Sequence, residues 1–208
     1  EVGDQLPLLL EQALREATTG TPRPVHLDIN GLQGEVIESA RLSDPHLPDA
    51  RYGQLPVHRP TTNNDEMERA AEALAKAKKP VLVVGTGSIQ AGSHEVVTRL
   101  AETLHIPVAT SLGGRGIIPT IHHYHIGVAG TYSAPITNQL VHEADLVIFA
   151  GCHTGDQVTN NWTVPGAGTS IIQIDIDAIE CGRNYPDTLA IVGDPAIALQ
   201  NLLDATQA

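Results

Sequence analysis

The sequence has 208 residues, of which 41% are apolar and only 3% aromatic, so Val, Ile, Leu and Ala must fill any core. Asp and Glu outnumber Lys and Arg by 24 to 12, and the resulting formal charge of −12 opposes non-specific binding to nucleic acid or anionic lipid. Two cysteines without motif spacing, Cys152 and Cys181, read as reduced, buried residues of an intracellular, cytoplasmic protein rather than a disulfide framework.

No signal peptide is evident, and no apolar run approaches the roughly 18 residues of a membrane helix, so no membrane partner is expected. The chain starts at Glu1 without an initiator Met, and Gln5–Thr18 already reads as an amphipathic helix, with Leu6, Leu9, Leu10, Ala13, Leu14 and Ala17 on its buried stripe. This start is that expected of a piece of a longer polypeptide. A breaker cluster, Thr18–Pro24, leads to a short strand, Val25–Ile29. Residues 41–62 then read as an extended linker, with Pro45, Pro48, Pro56 and Pro60 and little periodicity.

From Asn63 the pattern becomes regular. Asn64 or Asp65 is placed to cap a helix running to about Lys78, which buries Met67, Ala70, Ala71, Leu74 and Ala77. Pro80–Gly85 is a strand apolar on both faces, as in the middle of a parallel sheet. Ser93–His105 is a helix and Ile106–Ser111 a strand. Leu112–Ser133 reads as a long irregular stretch. Ala134–Glu143 is a helix, Ala144–Gly151 a strand, and 152–168 a second long loop. Ser170–Asp177 and Leu189–Asp194 are strands, and Pro195 opens a closing helix that reaches Thr206. Alternating helices and short, doubly buried strands predict an α/β fold, a Rossmann-like open parallel sheet with helices on both faces. Ligands of such sheets sit outside the carboxyl ends of the strands. The candidate site is therefore built from residues 85–87, 110–115, 151–156 and 175–177.

Within that site, Gly85 and Gly87 lack a Cβ where a strand turns into a helix, which suits either a close ligand or only a tight turn. Arg115, among Gly113, Gly114 and Gly116, is placed to pair with a phosphate or carboxylate, or to pack at the surface. Asp175 ends a buried strand, where a carboxylate accepts from ribose hydroxyls, whereas Asp177 suits the cap of a following helix. His153 and Asp156 either touch a ligand or fix their loop. His122, His123 and His125 have poor spacing for a metal and are expected to make ordinary loop hydrogen bonds. No catalytic triad or close carboxylate pair is apparent, and no catalytic or metal-binding residue is assigned.

Taken in order, "KPVLVVGTGSIQAGSHEVVTRLAETLHIPVATSLGGRGIIP", "HIGVAGTYS", "EADLVIFAGCHTGDQVT", "IIQIDIDAIECGRN" and "AIVGD" resemble the central domain of thiamine-diphosphate-dependent enzymes, nearest the acetohydroxyacid synthase-like group. The resemblance covers about Asn63 to Ala205. Upstream, "TPRPVHLDINGLQGEV" resembles the last strand of the family's pyrimidine-binding domain, with Asn30 in place of the usual proline. It implies three parts: residues 1–40 as the tail of a pyrimidine-binding domain, 41–62 as linker and 63–208 as central domain. It also implies a parent decarboxylase or carboligase acting on 2-oxo acids, a homodimer or homotetramer, whose thiamine diphosphate and Mg²⁺ are held by domains outside these residues. The chain alone, without the G-D-G motif for Mg²⁺, is expected to be inactive.

In flavin-containing relatives this domain binds FAD, and others hold ADP or nothing. Carried over residue by residue, the ribityl and isoalloxazine side implies Gly85, Gly87, Ser111, Leu112, Gly130, Thr131 and Tyr132. The adenosine side implies Asp175, Ile176 and Asp194. The loop after the strand Ala144–Gly151 departs from the family's G-x-R-F-D-D-R-V-T: His153 and Gln157 stand where two arginines are usual. Charge-assisted arginine bonds are about twice as strong as neutral ones, so flavin binding is expected to be weakened unless Arg115 or His153 compensates. The competing reading is a freestanding nucleotide-binding or oligomerisation module of the same fold, without thiamine chemistry.

Overall fold

A computed structural model describes residues 5–28 and 49–207. The chain divides into two compact units, Glu1–His58 and Arg59–Ala208, and the division falls inside the stretch read as linker.

In the first unit, α1 (Leu6–Thr18) carries Pro7 in its opening turn, where a missing N–H costs nothing. Thr18 ends it, its hydroxyl donating to Leu14 O at 2.8 Å. The stripe read as buried is only partly so: Leu6, Leu9, Ala13 and Ala17 are half-buried, whereas Leu10 and Leu14 are exposed. An apolar stripe is buried only when a second layer covers it, and the described residues of this unit add only the 3-10 turn Ala50–Gly53, capped by Asp49. The strand expected at Val25–Ile29 is not formed over Val25–Asp28 (Ile29 lies outside the described residues). A strand needs a partner for its ladder, and the described residues of this unit contain none.

The second unit holds a six-stranded parallel sheet of order β3-β2-β1-β4-β5-β6, with β1 Pro80–Val84, β2 Val108–Thr110, β3 His125–Val128, β4 Leu146–Ala150, β5 Ser170–Asp175 and β6 Leu189–Val192. The order reverses between β1 and β4, the doubly wound arrangement. The helices are α2 (Asn64–Lys76), the short α3 (Thr86–Gln90), α4 (His94–Leu104), α5 (Pro135–His142) and α6 (Pro195–Ala205).

Three corrections to the sequence reading arise here. The cap of α2 is Asn63, whose side chain accepts from Asp65 N at 2.9 Å, one residue before those expected. The stretch 112–133 is not wholly irregular, because β3 lies within it. Its residues are all half-buried, and His125 and Gly127 break the apolar run, so neither periodicity nor composition betrays an edge strand. Finally, Asp177 accepts from Ile179 N at 3.0 Å, but a series of turns follows it rather than a helix.

Side-chain alternation along the strands divides the core. Leu82, Val84, Ile148, Ile172, Ile174 and Ile191 face one way and pack under α2, α4 and α6. Val81, Val83, Val147, Phe149 and Ile171 face the other way, under Val141 of α5 and Val158 and Val164 of the loop 152–168. One face thus has three helices of 11 or 13 residues, the other one helix of 8 and a loop. Phe149, stacked on Tyr185 at 6.3 Å between ring centroids, fills the thinner layer, and the Tyr185 hydroxyl donates to Val164 O at 3.3 Å.

Leu199 of α6 is fully buried between α6 and the sheet. We expect Leu199→Ala to cost about 2–5 kcal/mol in chemical denaturation. A loss below ~1 kcal/mol would contradict its place in the core.

Candidate functional site

The crevice at a switch point lies between the carboxyl ends of the two strands where the order reverses, here β1 and β4. The turn after β1 is pressed directly onto the end of β4. Gly85 N donates to Ala150 O at 3.0 Å, Gly87 N to Gly151 O at 2.9 Å, and the Ser88 hydroxyl to Ala150 O at 2.9 Å. A Cβ on Gly85 would stand 2.6 Å from Cys152 Cα and inside contact distance of Gly151 O, and one on Gly87 would stand 2.9 Å from Gly151 Cα. Gly151 itself is left-handed (φ 53°), and a Cβ there would collide with the amide of Ser88. From the other side, Gly114 packs on the carbonyl of Val84 and Gly113 on the side chain of Thr86. The glycines that invite a ligand therefore also permit three segments of backbone to touch.

The remaining residues singled out from the sequence fall into separate groups. Ser111 caps the 3-10 turn Leu112–Gly114 through Gly114 N, at 3.1 Å. Leu112 and Arg115 project beyond this turn; both are exposed, and Arg115 has no hydrogen bond or ion pair among the described residues. Gly130 is pinned by Asn138, which accepts from its N–H at 2.8 Å and donates to its carbonyl at 2.9 Å. Thr131 N donates to Gln157 O at 2.8 Å, and the side chains of Thr131, Tyr132, His153 and Gln157 are exposed. Ile176 is half-buried. Asp194 is fully buried as the cap of α6, one oxygen accepting from Ala196 N at 2.9 Å and Ile197 N at 3.2 Å. Its other oxygen lies 3.7 Å from Arg59 Nε. The structure thus gives Asp194 a helix to cap and leaves it no exposed surface for an adenosine.

Asp175 is the exception among the site's carboxylates. It is 4% exposed, and burial raises its pKa above the ordinary value, while the amide of Asp177, donating at 2.9 Å, and the nearby His153 pull the other way. Both cysteines feel it. Burial, reinforced by the Asp175 charge, pushes Cys152 up to about 12 and Cys181 up to about 11, so both are inert thiols. The histidines make local contacts: His122 with Glu102 at 3.1 Å, His125 with Thr120 O at 3.3 Å, and His123 edge-on to Tyr124.

A diphosphate needs several converging donors. The amides of Gly85, Gly87 and Ser88 are committed to carbonyls of the chain, the last to Gly85 O at 3.2 Å. Of the arginines near this edge, Arg183 is paired with Glu180 at 2.8 Å, and Arg59 lies against Asp194 at 3.7 Å and donates to Ala91 O at 3.1 Å. That leaves Arg115 and His153, which is a poor fit to FAD or ADP. Sequence reading missed Gly151 and Gly114 as partners of the glycine turn. The available signal was glycine directly after β1 and β4 and three residues after β2, strands that the topology places side by side.

An open, doubly wound parallel sheet with its glycine turns gathered at the switch point defines a nucleotide-domain-like α/β module. More particularly, residues 67–202 match the family described as thiamine pyrophosphate enzyme, central domain, and the chain belongs to that family. It is 35% identical over 204 residues to a probable acetolactate synthase large subunit of Methanocaldococcus jannaschii, covering 97% of this chain and 34% of that protein. It is 30% identical over 203 residues to the acetolactate synthase isozyme 3 large subunit of Escherichia coli, again covering 97% and 34%. The chain thus spans about a third of the length of the curated relatives it matches. A putative thiamin diphosphate-dependent enzyme from Mycobacterium smegmatis superposes with a TM-score of 0.75 at 25% identity, over 98% of this chain and 38% of that one.

Two outcomes are expected. Gly151→Ala combines left-handed strain of about 1–2 kcal/mol with a backbone clash, typically about 1–3 kcal/mol, and should destabilise by more than ~2 kcal/mol with no ligand added. Gly155→Ala, with open space at its Cβ, should stay within about 0.5 kcal/mol. Equal effects in urea titration would refute the clasp.

The second outcome concerns Asp175. Its raised pKa favours the folded state below the ordinary carboxylate value, and that advantage is lost as pH rises through the raised value. Asp175→Asn should therefore gain in melting temperature relative to the parent as pH increases from the ordinary range to neutrality. A difference that stays constant with pH would contradict the assignment.

Proposed function

We propose that this chain serves as the central domain of an acetolactate synthase-like enzyme, one that uses thiamine diphosphate and Mg²⁺ to decarboxylate a 2-oxo acid and join the resulting fragment to a second. The observation that supports this reading is the family match over 67–202, joined to identity with acetolactate synthase large subunits over nearly the whole chain. Thiamine diphosphate supplies the electron sink that stabilises a carbanion at the reacting carbon.

The role of these residues in that protein is architectural. They provide a rigid sheet with a closed switch point, with Cys152 buried and Cys181 half-buried, both thiols held well above their ordinary pKa. They contribute no catalytic group, so the chain by itself is inactive. Residues 1–40, with the linker 41–62, are read as the end of a pyrimidine-binding domain joined to the central domain 63–208. FAD and ADP are not held tightly, because the amides of the glycine turn are committed to carbonyls of the chain and His153 and Gln157 stand where two arginines are usual. Gly85, Gly87, Ser111, Leu112, Gly130, Thr131 and Ile176 remain the positions nearest any ligand crossing this edge. The two unpaired cysteines support a cytoplasmic location.

The test is made on the full-length protein with pyruvate and other 2-oxo acids. Carbon dioxide release should require both thiamine diphosphate and Mg²⁺, and the purified protein should carry no flavin absorbance. Turnover without thiamine diphosphate would overturn the proposed chemistry. A stoichiometric yellow protein would overturn the architectural reading of the sheet edge.

A further inference from the structure

Three histidines touch Tyr124, and a fourth follows it. His105 caps the carboxyl end of α4 in the left-handed region, at φ 55°, a place glycine takes more readily. Its Nδ1 meets the Tyr124 hydroxyl. His122 lies between Glu102 of α4, 3.1 Å from its Nε2, and the amide of Tyr124, 3.3 Å from its Nδ1. His123 stands edge-on to the Tyr124 ring, and His125 Nδ1 lies 3.3 Å from Thr120 O. Tyr124 packs against the core, and its carbonyl accepts from Val108 N at 2.8 Å, so the turn 119–125 leads directly into β3. Among the described residues no group of three His, Cys, Asp or Glu side chains is placed to hold a metal ion.

The partners assign the ring protons. An amide only donates, so His122 Nδ1 is the bare, accepting nitrogen and the proton of the neutral ring lies on Nε2, toward Glu102. A carbonyl only accepts, so His125 carries its proton on Nδ1. A hydroxyl does both, so His105 keeps Tyr124 as its partner in either charge state. A second proton on His125 goes to Nε2 and leaves the bond to Thr120 intact. On His122 it goes to Nδ1, where it meets the N–H of Tyr124, donor against donor. The same proton makes the contact with Glu102 charge-assisted and stronger.

We propose that His122 is a proton-operated catch on the turn 119–125. Neutral, it holds the Tyr124 amide and keeps the turn closed. Charged, it lets that amide go and stays with Glu102, which loosens the turn that feeds the edge strand β3. The titratable groups against it are Glu102 from α4 and, from its own turn, Tyr124, whose ring centroid is 6.0 Å away, with His123 and His125 beside it. His105 is linked to it through Tyr124. Arg99, on α4 one turn before Glu102, is directed to Gln200 of α6 at 3.2 Å. This inference is independent of the thiamine chemistry.

The experiment measures hydrogen exchange of the Tyr124 amide in the full-length protein, resolved by overlapping peptides in mass spectrometry. It is run at about pH 5 and about pH 8, the span in which imidazoles ordinarily change charge, with each rate divided by that of an unstructured chain at the same pH. Protection should be lower at the acid end by about 2- to 10-fold, the worth of one hydrogen bond. In His122→Asn the side-chain oxygen accepts the amide two residues on without titrating, so protection should be equal at both ends. In His105→Gly, which suits the left-handed backbone, the acid loss should persist. Protection in the parent that is indifferent to pH would overturn the catch. So would an acid loss that survives in His122→Asn or vanishes in His105→Gly. If His122→Asn does not fold, the parent and His105→Gly decide.

Discussion

The structure depends on the contact of main chain with main chain at the reversal of strand order. Gly85, Gly87 and Gly151 approach so closely that no side chain fits between them, and the amides of the turn donate to the carbonyls ending β4. Hydrogen bonds made there satisfy groups that would otherwise be buried without partners. They also set the direction in which α3 leaves β1. Gly113 and Gly114 close the same junction from the β2 side. The space beside these glycines is taken by the chain's own backbone.

The sheet built around that junction is covered unequally. Three helices bury one face, with a continuous layer of Leu, Ile and Val beneath them. Among the described residues the other face is covered by α5 and the loop 152–168, and Phe149 and Tyr185 add bulk to this thinner layer. Phe149, the chain's one phenylalanine, is spent in this layer, where it stacks on Tyr185. The same unequal cover leaves Ile136, Leu140 and Trp162 facing outward.

Much of this architecture was legible in the sequence. The strands β1, β4 and β6 are apolar runs ended by glycine, β5 is rich in Ile, and α2, α4 and α6 keep helical period. β3 was not legible, because an edge strand half-buried along its whole length, with His125 and Gly127 in its run, carries no periodic signal. Val25–Asp28 looked like a strand because its residues suit one, yet strand formation is a property of a pair. The site was legible as a location but not as an interaction. Gly85 and Gly87 announce a close approach, and nothing in one sequence says whether the approaching group is a ligand or Gly151. Asp194 likewise reads as an acidic residue at a strand end, and only the packing of α6 shows it to be a buried cap.

The anchoring of α6 carries one more consequence. Asp194 N donates to Pro60 O at 2.9 Å, Asn201 reaches the Thr62 hydroxyl at 2.9 Å, and Asn64 and Ala205 line the same small hollow. The strap that leads into the sheet and the helix that completes it therefore lie side by side. A module whose entrance and exit share one doorway can be spliced into a longer chain, or removed from it, with little disturbance to what flanks it.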